Sequence, residues 1–326
     1  MQKNYSREIS AALDAVRLAA RLCRSVQSSI SPDTLEKRDR SPVTVADFGS
    51  QAVVCRAIDS VFPADPIIGE ENAAMLRQEA NSPILDRVVT YVNDIVPGTT
   101  PNDVLRLIDR GGSRGHSSRL WTLDPIDGTK GFLRKDQYAV ALALIEEGEV
   151  VVAALACPEL EDDSGVVGHA FVAAKGAGTR TMPLFAEGEG RPIRVSDVSA
   201  LEKARFCESV ESGHSSHTDA ADVAELLGIT AESIRLDSQA KYAIVARGDA
   251  EIYMRLPTRA DYVEKIWDHA AGMLVVEEAG GRVTDIEGKR LDFGHGGRLE
   301  ANKGVVATNG QVHDAVMDAL KRVGVS

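Results

Sequence analysis

No window of this 326-residue chain approaches the roughly 18 apolar residues needed to cross a bilayer, so no membrane span is expected. There is no basic excess either: thirty-seven Lys and Arg stand against forty-nine Asp and Glu, a net charge of −12. That balance opposes non-specific attachment to nucleic acid or to an anionic membrane surface. An anionic substrate would need a locally positive site, made by bound metal ions or by a few focused Lys and Arg. Cysteine is scarce: Cys23, Cys55, Cys157 and Cys207 form no CxxC pair and no framework spacing, which points to a reducing, cytoplasmic setting. Also missing are a GxxxxGK[ST] loop, a GxGxxG turn after a strand and an HExxH pair. The Ser-His pairs of "GHSSH" have no GxSxG elbow beside them, which disfavours a nucleophilic serine.

What is there reads as a globular protein, 44% hydrophobic and 26% charged, of a length that suits two packed domains. Residues 1–30 carry Ile9, Leu13, Val16 and Ala20 at helical spacing, and Glu8 and Asp14 interrupt any leader-like pattern, so an amphipathic first helix is expected. "TVADFGSQAVVCRAIDSVFP" predicts a second helix with Thr44 as its cap, and "PIIGEE" a short buried strand running into Gly69. Residues 72–118 read as mostly helical. From Leu120 to about Gly178 the segments "RLWTL", "YAVALALIE", "EVVVAALAC" and "GHAFVAAK" predict an antiparallel sheet. "MPLFAEGEGRPIRVS" reads as an irregular connection, so a boundary is placed near Val195, giving an α+β domain over 1–194 and an α/β domain over 195–326. In the second, "ARFCESV", "SIRLD" and "AEIYMRL" read as strands. "KYAIVARG" reads as helix or strand, and Trp267 to Ala279 as a helix closed by Gly280.

The chemistry is carried by acidic residues at the ends of these elements. In "LWTLDPIDGTKGF" the proline cannot continue a ladder, so Asp124 is expected at a strand end, with Asp127 across a tight turn. Two carboxylates and the Ile126 carbonyl could converge on one hard cation, which accepts either kind of oxygen. Gly128 and Thr129 follow where free N–H groups suit phosphate oxygens, and the Thr129 hydroxyl could orient water. Common Asp-Pro and Asp-Gly turns would explain this stretch equally well. "IIGEE" delivers Glu70 and Glu71 to a sheet edge, although an acidic first turn of the next helix would look the same. Asp268 in "KIWDHAAG" has the plainer reading of a helix N-cap, and Asp47 that of an acidic first-turn residue. Four acidic sites at element ends nonetheless suit a shared multi-metal cluster better than four separate caps.

GEE, DPIDGT and WDHAAG, in that order, resemble the lithium-sensitive, magnesium-dependent phosphomonoesterase superfamily that includes the inositol monophosphatases. Longer stretches, "WTLDPIDGTKGFLRKDQYAVALALIEEGEVVVAALACP", "ESGHSSH", "LDSQAKYAIVARGDAEIYMRLP" and "EKIWDHAAG", resemble the 3'(2'),5'-bisphosphate nucleotidases of fungi and plants over nearly the whole chain. The resemblance implies a layered α-β-α-β-α sandwich with the active site between the domains. Glu70, Asp124, the Ile126 carbonyl, Asp127 and Asp268 would hold two or three Mg²⁺ ions. Asp47 and Thr129 would orient and deprotonate the attacking water, and the Gly128 and Thr129 amides would hold the scissile phosphate. Ser238, Lys241 and Arg255 would bind the retained phosphate, and His214 would lie near the nucleoside.

The implied reaction removes the 3'-phosphate of adenosine 3',5'-bisphosphate, with 3'-phosphoadenosine 5'-phosphosulfate as a second substrate, and so clears a by-product of sulfate transfer. Lithium inhibition is implied as well. The protein is expected to act as a monomer on this small nucleotide. Two other readings are an inositol polyphosphate 1-phosphatase and a non-catalytic nucleotide-binding regulatory protein. One departure stands out: "FLRKDQ" puts Lys135 where these nucleotidases resemble "FLRGDQ", which would strain the lysine if the backbone there has a positive φ.

Overall fold

The computed structural model describes residues 3–30, 41–113, 117–210, 216–259 and 261–325. Among them, a seven-stranded sheet runs in sequence order from β1 (Ile67–Gly69), β2 (Arg119–Asp127), β3 (Ala139–Glu146) and β4 (Glu149–Glu161) to β5 (Val167–Ala174), β6 (Gly178–Pro183) and β7 (Arg191–Ile193). Neighbours pair antiparallel except β1, which lies parallel to β2. The apolar run of β3 is explained by burial on both faces. Val140, Leu142 and Leu144 enter the core beneath α1 (Ser6–Ser28) and α2 (Ser41–Val61), whereas Ala139, Ala141, Ala143 and Ile145 enter the core on the opposite side. The β3–β4 hairpin turns through Glu147 and Gly148, both at positive φ (50° and 76°), as a tight two-residue loop requires.

The second core also receives α7 (Ala240–Arg247) and α8 (Ala270–Glu278), which lie between the first sheet and a five-stranded sheet. That sheet has the order β11 (Arg282–Thr284), β12 (Val305–Thr308), β10 (Ile252–Arg255), β8 (Phe206–Glu208) and β9 (Ile234–Arg235). Its far side is covered by α6 (His217–Leu227) and α9 (His313–Val323), with Ile252, Met254 and Val306 pointing into the third core. Two helices, a sheet, two helices, a sheet and two helices make the layered α-β-α-β-α sandwich. Two further helices, α3 (Ser82–Ile95) and α4 (Pro101–Arg110), pack beside α2, and a short α5 (Thr129–Arg134) follows β2.

Several local expectations are corrected. Helix α2 begins at Ser41, so Thr44 is inside its first turn and Asp47 is in the second turn rather than the first. Strand β2 does not stop at Asp124 but runs to Asp127. Asp124 pairs with Ala141 and Asp127 with Ala139, so a bulge absorbs Pro125 and Ile126. "NAAMLRQEA" forms turns and one 3-10 segment (Glu79–Asn81) instead of a regular helix, and the connection after Pro183 contains β7. Asp268 is not a helix N-cap: it closes a 3-10 turn, Ile266–Asp268, and His269 precedes α8. The strand Val305–Thr308, at the heart of the second sheet, was not among the expected elements. No helix of the described residues is long and apolar enough to cross a membrane.

Candidate active site

The parallel pairing of β1 with β2 sets the first carboxylates. Gly69 lies opposite Leu123, and the Glu70 amide donates to the Leu123 carbonyl at 3.3 Å, so Glu70, just past the end of β1, lies beside Asp124 of β2. Asp124 is buried, 2% exposed, and its Oδ1 has no hydrogen-bond partner. Asp127 follows beyond the bulge. Helix α2 holds both loops: Ser50 Oγ donates to the Pro125 carbonyl at 2.8 Å, and Gln51 bonds the Glu71 amide (3.0 Å) and carbonyl (2.6 Å). Asp47, three and four residues earlier on the same face, is buried beneath them. The side chain of Ile126 goes into the core under α2.

The second half supplies the other wall. The Gln239 amide donates to Asp127 Oδ2 at 2.6 Å. Ser238 has φ 75°, and Gly128, at φ 87°, packs against it so closely that an added Cβ would stand 3.0 Å from Ser238 Cβ. Two left-handed residues thus meet where β2 and the 237–239 turn pack together, and only glycine fits the first position. Arg134 pairs with Asp237, which ties α5 to the same turn, and Thr129 is exposed at the start of α5. Lys241 is buried, with Nζ donating to the carbonyls of Ser238 (2.7 Å) and Leu236 (3.4 Å) and lying 5.3 Å from the Tyr253 ring centre. Arg255 spans Glu264 (2.9 Å) and Asp268 (3.5 Å). His214 lies outside the described residues.

Burial and crowding of like charge set the electrostatics. Burial, then Asp268, Glu71 and Asp127, push the Glu70 carboxyl up to about 8. Burial, then Glu70, Asp127, Asp268 and Asp47, hold Asp124 well above the usual carboxylate range, and burial with Glu71 and Glu70 does the same to Asp47. Burial also raises Asp268, to about 6, although Arg255 and His269 pull it down. Burial lowers Lys241, opposed by Asp127. Glu70, Asp124, Asp127 and Asp268, linked by charge and one with an orphaned buried oxygen, offer oxygen donors of the kind that suit a hard divalent cation.

Among the described residues, the three ligand atoms that lie within 4.8 Å of one another are those of Glu264, Asp268 and His269. Asp268 is common to both sets; Arg255 pairs with it and with Glu264, and His269 is engaged on both nitrogens, with Glu264 (3.1 Å) and Tyr242 OH (2.7 Å). Although burial opposes it, His269 and Arg255 keep Glu264 below the usual range. This set buttresses Asp268 from behind. Glu264, His269, Tyr242 and Gln239 were not singled out from the sequence. Glu264 carried one signal, an acid four residues ahead of Asp268, but the neutral Gln239 carried none.

Comparison with known proteins agrees with this architecture. Residues 4–324 match the Inositol monophosphatase family. The chain is 47% identical to the 3'(2'),5'-bisphosphate nucleotidase of Emericella nidulans, over 98% of this chain and 99% of that one. It is 44% identical to the 3'(2'),5'-bisphosphate nucleotidase of Oryza sativa, over 97% and 95%. Among solved structures, the inositol monophosphatase from Anabaena (Nostoc) sp. PCC 7120 shares the fold with a TM-score of 0.65 at 22% identity, covering 98% of this chain and 97% of that one. CysQ from Bacteroides thetaiotaomicron does so with a TM-score of 0.62 at 21% identity, covering 94% and 98%. The resemblance carried by GEE, DPIDGT and WDHAAG is thus borne out, and the chain belongs to the inositol monophosphatase family.

Proposed function

We propose that this protein is a Mg²⁺-dependent 3'(2'),5'-bisphosphate nucleotidase that hydrolyses the 3'-phosphate of adenosine 3',5'-bisphosphate to AMP and phosphate. The observation that carries the reading is the burial of Asp124 within reach of the charges of Glu70, Asp127 and Asp268, with its Oδ1 unpartnered. Near full-length identity of 47% to a relative of that name supports the substrate class. 3'-Phosphoadenosine 5'-phosphosulfate, which differs at the 5' end, is the second substrate in this reading.

Glu70, Asp124, Asp127, Asp268 and the Ile126 carbonyl are the groups that would hold the cations. When bound, Mg²⁺ neutralises charge developing on the phosphate and acidifies the attacking water. Asp47, whose proton affinity is raised by burial and by Glu71 and Glu70, is suited to take up a proton, with Thr129 orienting the water it comes from. The Gly128 and Thr129 amides would bind the scissile phosphate. Ser238, Lys241 and Arg255 would bind the retained one, and His214 would stand by the nucleoside. Lithium inhibition and a monomeric, cytoplasmic enzyme belong to the same proposal, the last supported by four free, buried cysteines. So does a division into lobes at residues 194 and 195, supported by the first sheet ending at Ile193 and the second beginning at Phe206.

The test is phosphate release from adenosine 3',5'-bisphosphate by the purified protein. Turnover is expected only with Mg²⁺ and is expected to be lost in Asp127→Asn. Turnover undiminished by a chelator would overturn the reading.

A further inference from the structure

Gln239 stands between the two acidic turns and bonds both. Its backbone amide donates to Asp127 Oδ2 at 2.6 Å. Its side-chain Nε2 donates to the Trp267 carbonyl at 2.8 Å, one residue before Asp268, and its Oε1 accepts from the Gly272 amide at 3.1 Å in the first turn of α8. The residue is 2% exposed, so these bonds are made without competition from water. Both ends of the amide are used, one on each side of Asp268, which fixes the turn that carries this carboxylate. The same residue's main chain fixes Asp127, so a single residue joins the 124–128 bulge to the 266–272 turn.

We propose that Gln239 is a positioning residue that sets the separation of Asp127 and Asp268, and through it the cation affinity of the site. The inference rests on the reading of those two aspartates as cation ligands. Groups that orient ligands from behind cost about 10- to 100-fold in metal affinity when removed. Gln239 has this relation to Asp268 through the backbone of Trp267 and Gly272, and to Asp127 directly. A long apolar side chain at 239 would keep the volume and the backbone amide while releasing the 266–272 turn.

Gln239→Met tests this with Mg²⁺ titrated by calorimetry into the full-length protein in the absence of substrate. The expected result is a weakening of about 10- to 100-fold, a matching rise in the Mg²⁺ needed for half-maximal turnover, and kcat at saturating Mg²⁺ within a few-fold of the unaltered chain. Thr179→Val is the control. It removes another buried hydrogen bond to a helix of the middle layer, Thr179 Oγ1 to the Val275 carbonyl at 2.8 Å, and is expected to leave Mg²⁺ affinity unchanged. If the Met variant does not fold, Gln239→Asn, an amide one methylene shorter, is titrated in its place by the same criterion. Unchanged Mg²⁺ affinity in a folded variant, or equal weakening in Thr179→Val, would overturn the role of Gln239. Heat of Mg²⁺ binding missing from the unaltered protein as well would overturn the cation site itself, and the role of Gln239 with it.

Discussion

Glu70 and Asp124 stand side by side because β1 is parallel to β2 in a register that sets Gly69 opposite Leu123. The Glu70 charge raises the proton affinity of the buried Asp124, and burial with Asp268, Glu71 and Asp127 raises that of Glu70. The sign of the pH dependence follows. A carboxyl whose folded pKa is raised favours folding below its ordinary range and opposes it once the pH forces it to ionise. Divalent cations bind the ionised form and so compete with protons. With Glu70 at about 8 and Asp268 at about 6, the stabilisation by saturating Mg²⁺ should grow between pH 6 and pH 8. Melting temperatures with and without Mg²⁺ at the two pH values check this; an equal shift at both would contradict it.

Asp124→Asn should separate stability from cation binding. Asparagine keeps the shape but carries no buried charge, so without Mg²⁺ the variant should be more stable by about 1–2 kcal/mol. It should also lose the melting shift on adding Mg²⁺. Chemical denaturation with and without the cation reads both effects.

Lys135 sits at φ 62° and ψ 28°, the left-handed cap of α5, so the departure noted in "FLRKDQ" does place a lysine where glycine is the easier residue. Lys135→Gly should stabilise the protein by about 0.5–1 kcal/mol, the relief of the left-handed Cβ less the added freedom of the unfolded chain. Because Lys135 is exposed, activity should change little.

Gly272→Ala should be severe. An added Cβ would stand 2.1 Å from the ring of Tyr242, which is itself fully buried with its hydroxyl on His269. Helices α7 and α8 would have to separate, at a cost of about 2–3 kcal/mol in denaturant unfolding.

His313 gives a second pH signature, remote from the site. It is fully buried between the hydroxyls of Thr284 (3.1 Å) and Thr308 (3.0 Å), and burial, aided by Arg282, lowers it to about 4. The unfolded chain takes up its proton first, so stability is complete above about pH 6.5 and falls toward pH 4, by at most about 3 kcal/mol from this residue. His313→Gln should flatten that part of the stability curve.

The parts of the fold that could be read from the sequence were those with strong local patterns. The amphipathic first helix, the apolar strands β3 and β4 and the glycine-ended strand before Glu70 announce themselves by spacing and punctuation. The short strand Val305–Thr308 does not, because three apolar residues and a threonine carry no period that separates strand from helix. The extension of β2 through Pro125 was hidden because a bulge is a property of the pair Asp124–Asp127 against Ala141–Ala139, not of one strand. The acidic residues were legible from their motifs, whereas Gln239, Glu264 and His269 owe their roles to contacts between segments far apart in the chain.

The most direct measurement compares kcat/KM for adenosine 3',5'-bisphosphate, AMP, inositol 1-phosphate and inositol 1,4-bisphosphate at saturating Mg²⁺. The nucleotide bisphosphate is predicted to be turned over well above the other three, with that activity lost in Asp127→Asn. Preference for an inositol phosphate would contradict the assignment of Ser238, Lys241 and Arg255 to the retained phosphate of a nucleotide, and silence on all four would contradict the phosphatase itself.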